Sequence, residues 1–116
     1  MSSENKECPG KKLAKIIVSF APLQKIARSF IFVYRGQTPN VALFVRRGVV
    51  LVGDKKISIH RSDRGRLLYF SELVERRACE DELSVLEGAE VSIIDRQVAE
   101  KIMNYTCLEP GELTKS

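Results

Sequence analysis

The hydrophobic period of this chain changes along its length, and that change restricts the fold more than any other feature. Between residues 11 and 29 the apolar residues keep helical spacing. Leu13, Ile16, Ile17 and Phe20 form one stripe, and Leu23, Ile26, Ala27 and Phe30 continue it. Pro22 stands in the middle, so the stretch reads as one kinked helix or as two helices meeting after Phe20. From residue 30 to 70 the pattern becomes short runs rich in β-branched and aromatic residues, at 30–35, 41–47, 49–52, 57–61 and 66–70. Breaks at 36–40, 53–55 and 62–65 separate them, and Gly48 reads as a bulge inside one long strand.

Helical signals then return. Ser71 is placed to cap a helix with Glu72 and Glu75 in its first turn, and the spacing lets that helix run through 80–87 to a stop at Gly88. Residues 90–94 read as a final strand. Asp95 caps a last helix with Val98, Ala99, Ile102 and Met103 on its inner face. The expected fold is α+β: a small antiparallel sheet of about four or five strands, an N-terminal helix or kinked helix pair, and C-terminal helices. Residues 1–10 and 108–116, each holding a Pro-Gly pair, read as tails around a single domain over 11–107.

A length of 116 residues, 44% of them hydrophobic and 29% charged, suits one folded domain and argues against disorder. No run of 18 apolar residues is present, and Lys11, Lys12 and Lys15 interrupt any signal-peptide core. Cys8, Cys79 and Cys107 are odd in number and widely spaced, which points to free thiols in a reducing, cytoplasmic setting. Three Asn and three Gln beside 34 charged residues tilt toward a thermophilic source.

The net charge of +4 hides a segregation. Residues 28–77 hold eleven Lys and Arg against four Asp and Glu, whereas residues 78–116 hold three against nine. Nine of those eleven cations are Arg, the side chain suited to planar phosphate contacts. Alternation along the strands lets one face combine Tyr34, Phe44 and Tyr69 with Arg35, Arg46, Arg47, Arg61 and Arg66, while the loops add Lys55, Lys56 and Arg64. Rings that stack on unpaired bases and cations that track phosphates make the expected activity single-stranded DNA or RNA binding. In this reading Tyr34, Phe44 and Tyr69 stack, six arginines (35, 46, 47, 61, 64 and 66) hold phosphates, and Lys55 and Lys56 lie at the rim. The alternatives are a protein–protein adaptor or small subunit of an information-processing complex, whose opposed charges meet partner surfaces, and a metal-dependent nuclease using Asp54, Asp63, Glu72 or Glu75. Self-association stays open, since Met103 and Tyr105 beside Ile102 offer an apolar seam.

Signals for catalysis are weak. His60 is the single histidine, and no G-x-S-x-G elbow supplies a nucleophile. The cysteines lack zinc spacing, and the glycines form no nucleotide-binding loop. The expectation is therefore a non-enzyme with no cofactor, no metal, no small-molecule substrate and no membrane partner.

With a helical stretch at 11–29, a basic β-region at 30–70 and helices after it, the chain resembles the ThermoDBP-type crenarchaeal single-stranded DNA-binding proteins and their relatives. That resemblance implies an archaeal nucleic-acid-binding protein whose cleft combines aromatic and basic residues. Some members of that family dimerise through a C-terminal leucine zipper, which this chain lacks.

Overall fold

The computed structural model describes residues 9–60 and 64–107. Its elements run α1 (Pro9–Phe20), β1 (Gln24–Lys25), β2 (Phe30–Val33), β3 (Val41–Val52), β4 (Lys55–Ile59), β5 (Arg66–Leu68), α2 (Phe70–Glu75), β6 (Leu83–Val85), β7 (Glu90–Asp95) and α3 (Arg96–Thr106). All strand pairings are antiparallel.

The twelve-residue β3 organises the sheet. Its first half pairs with β7 on one side and β5 on the other, and β1 extends that layer beyond β7. Its second half pairs with β4 and β6, and β2 extends that layer beyond β6. One strand thus serves two layers, and the seven strands curl into an antiparallel half-barrel. The crossing lies at 45–48, where the register against β7 shifts between Val45 and Arg47. Gly48 follows with φ +124°, and a Cβ there would stand 2.5 Å from the Ala89 Cβ. Only glycine lets β3 pass residue 89 this closely.

The run of apolar residues opening β3 follows from burial on both faces. Ala42 and Phe44 face the helices and pack with Ile17, Leu67, Phe70, Leu73, Ile94, Ala99 and Ile102. Leu43 and Val45 face the inside of the curl and pack with Ile26, Val33, Val50, Ile59, Leu83, Val85 and Val91. Each of Leu43, Val45, Val50, Leu83, Val85 and Val91 is fully buried.

The expected sheet of four or five strands is corrected to a curled sheet of seven. Two misreadings account for the difference. The first helix ends at Phe20, before Pro22, and Gln24–Lys25 then pairs with β7 at Val91 and Glu90 instead of continuing a helical stripe. The helix expected to be capped by Ser71 starts two residues earlier, with Tyr69 at the cap position, and stops after Glu75, because Arg76 takes a left-handed conformation (φ 59°) and closes it. Residues 83–85, expected to be helical, form β6. By contrast, Asp95 caps α3 as its position suggests, its carboxylate accepting from the Val98 N–H at 2.8 Å.

Candidate functional site

The connection from α2 to β6 is irregular, rich in acids, and pinned from three directions. The Arg77 N–H donates to the Glu72 carbonyl as α2 closes. From the turn after β2, Gly36 N–H donates to the Cys79 carbonyl at 2.9 Å, and Cys79 N–H donates to the Gln37 carbonyl at 2.8 Å. From the end of β5, the Tyr69 hydroxyl donates to the Asp81 carbonyl at 2.6 Å. From the β3–β4 turn, Gly53 N–H donates to the Glu82 carbonyl at 2.8 Å. A Cβ on Gly53 would meet the Asp81 carboxylate at 3.1 Å, so that turn lies directly against it.

Tyr69 anchors this arrangement at a cost. It adopts φ 63°, a left-handed conformation that a bulky side chain rarely takes. The strain is held by its hydroxyl bond and by packing of its ring against the inner core. Burial first, and then the charges of Cys79, Asp81 and Glu72, push the Tyr69 hydroxyl up to about 12. Burial and the Glu72 carboxylate push the Cys79 thiol up to about 11. Burial is the larger cause of both shifts, and neighbouring carboxylates add to it. Arg77 sits at 2.7 Å from Glu75 in an exposed ion pair, which engages one of the two nearby cations.

The residues expected from the sequence to bind together fall on β3, β4, β5 and the turns beside them. Phe44 is only 2% exposed; its ring lies in the helix-side core, so it presents no face for stacking. Tyr34 is exposed in the turn after β2, and Arg35 follows it. Tyr69 is half-buried beside Asp81. Arg46 and Arg47 lie at the crossing of β3, where Arg47 pairs with Glu90 at 3.2 Å, directly across the ladder. Lys55 and Lys56 are exposed on β4, Arg66 on β5, and Arg64 just before it. Arg61 falls outside the described residues. Asp81 escapes a reading of the sequence that runs the helix from Ser71 through 80–87; Gln37 and Cys79 are also missed as partners in this segment, and Glu72 enters that reading only as a first-turn acid and a nuclease candidate. The alternation Leu83-Ser84-Val85 after the acids is the signal of a strand there.

No family model and no curated protein matches the sequence. Solved structures do share its fold. One, from a cyclic-GMP-dependent signalling pathway that regulates bacterial phytopathogenesis, aligns with 97% of this chain and 87% of its own at 12% identity, with a TM-score of 0.68. The catabolite activator protein of Thermus thermophilus aligns with 88% of this chain and 49% of its own at 13% identity, with a TM-score of 0.61. A cyclic nucleotide-binding-like protein from Brucella abortus aligns with 90% and 91% at 16% identity, with a TM-score of 0.58.

The fold is that of cyclic nucleotide-binding domains. This overturns the resemblance to ThermoDBP-type proteins, whose fold is different. The expectation of a single-stranded DNA or RNA partner falls with it, as does the exclusion of a small-molecule ligand. The physical reason is visible in the sheet. Phe44, one of the three expected stacking rings, is buried because both sides of the first half of β3 are covered. Among the described residues, no helix is long and apolar enough to cross a membrane.

Proposed function

We propose that this chain is a non-catalytic, cytoplasmic regulatory module that senses a small polar molecule at the α2–β6 connection. What supports the reading is the fold, shared across nearly the whole chain with proteins described by cyclic-nucleotide signalling and binding. The local chemistry narrows the ligand. Glu72 and Asp81 offer carboxylates, and acceptor-only groups are met by O–H or N–H donors. Ribose hydroxyls and the exocyclic amine of a purine are such donors.

The same segment has a route to the rest of the protein. Phe70 and Leu73 of α2 are fully buried against α1 and α3, and Arg96 at the start of α3 donates from Nη1 to the Leu73 carbonyl at 2.7 Å. A ligand that moves residues 69–76 thereby moves α3.

Calorimetry and thermal unfolding with cyclic AMP, cyclic GMP, 5′-AMP and adenosine test the reading. Saturable binding of a cyclic nucleotide is expected, raising stability by about 2.7 kcal/mol at a hundredfold excess over Kd. Glu72→Gln or Asp81→Asn weakens it at least tenfold. If none of the four ligands binds or shifts the unfolding temperature, cyclic-nucleotide sensing is wrong.

A further inference from the structure

Among the described residues no strand pairs with the outer edge of β2, which is apolar and flanked by cations. In the described sheet β2 pairs with β6 alone and ends the strand order. Its four residues, Phe30–Val33, carry no charge and no proline, the usual guards of a free edge. The register shift between Ile31 and Val33 is the guard that remains, and it keeps the regular stretch short. Phe30 and Ile31 are each 40% exposed, and Tyr34, one residue beyond the strand, is 52% exposed. Phe30 stacks at a tilt on Phe32 with ring centroids 6.5 Å apart, so the exposed ring continues the apolar lining of the curl. Arg28 and Arg35, both exposed, stand at the two ends.

We propose that β2 accepts an extended peptide from another protein as an added antiparallel strand, one that carries apolar residues at alternate positions and acidic residues about seven apart. Strand addition supplies main-chain hydrogen bonds, and the side chains set specificity. The flanking charges choose the occupant. A second copy of this chain pairing β2 with β2 about its centre would place Arg28 opposite Arg35 twice, and like charges directly opposed are destabilising. An acidic peptide in the same register meets both cations. This site is separate from the ligand-sensing reading and stands or falls without it.

The test is fluorescence anisotropy of the full chain with a labelled nine-residue peptide. It carries Asp at positions 1 and 8 and alternating Val and Thr between them. A second peptide replaces both Asp by Lys, and a third places Pro at the centre of the first. The acidic peptide is expected to saturate and to bind at least tenfold more tightly than either control. Ile31→Asp abolishes this binding, and the double change Arg28→Glu, Arg35→Glu inverts the preference toward the Lys peptide, with circular dichroism confirming that both variants fold. Equal binding of the Pro peptide overturns the proposal, because charge alone then suffices. A sedimenting dimer that Ile31→Asp dissociates also overturns it, because the edge is then filled by a second copy.

Discussion

At Gly48 the backbone takes φ +124°, and the space where a side chain would start is occupied by Ala89. Gly48→Ala therefore combines a left-handed backbone with a clash at 2.5 Å, and a loss of about 2–4 kcal/mol in urea unfolding is expected. Gly36 separates the two effects. Its φ is +88° with nothing within 4 Å, so Gly36→Ala is expected to cost only the conformational part, about 1 kcal/mol. Cys79 gives a second residue-level expectation. Its thiol is raised from an ordinary 9.0 to about 11 in the fold. The fold therefore favours the protonated thiol. That stability is complete below pH 9 and is lost as pH rises through 9 to 11. Tyr69, raised to about 12, adds a similar loss beginning one unit higher. Thermal unfolding between pH 8 and 10.5 is expected to show a smaller fall for Cys79→Ala than for the native chain.

Helix α2 is six residues long, and its ends are set by backbone conformation instead of by capping side chains. Tyr69 and Arg76 are both left-handed, and no side-chain bond caps the start. This explains why the segment was hard to read. Ser71, Glu72 and Glu75 form a plausible first turn, and neither glycine nor proline marks the stop at Arg76. The bonds that hold residues 79–82 come from residues 36, 37, 53 and 69, which no local pattern announces. Helix α3 was legible because its signals are local: Asp95 at the cap, then Ala99 and Ile102 at helical spacing. Charge was legible as an amount and misleading as a place. Arg47 and Arg77 are engaged by Glu90 and Glu75, both acids near in the structure. The bond from Arg96 to the Leu73 carbonyl joins the two helices. Arg96→Ala is expected to cost about 1–2 kcal/mol through the orphaned carbonyl. If α3 follows α2, it also reduces any ligand-induced change in hydrogen exchange along α3 while leaving ligand affinity nearly unaltered.

Across the whole molecule, two apolar cores lie on opposite sides of a layer to which β3, β5 and β7 all contribute. Leu43 and Phe44 are neighbours in sequence, yet one side chain belongs to the inner core and the other to the helix-side core. Leu43→Ala is expected to cost about 2–5 kcal/mol and Phe44→Ala about 3–5 kcal/mol. Both are expected to shift one cooperative transition, because neither layer keeps its β3 ladder when the other opens. Two separate transitions, by circular dichroism and tyrosine fluorescence, would show that the layers unfold independently. The sharing of β3 also bears on synthesis. The strand is complete at Val52, but its main partner is complete only at Asp95, about forty residues later. At about 5–20 residues per second, a nascent chain carries a strand that is apolar on both faces for about 2–9 s before β7 exists to pair its edge. A chain built this way depends on whatever shields the ribosome's emerging product during that interval.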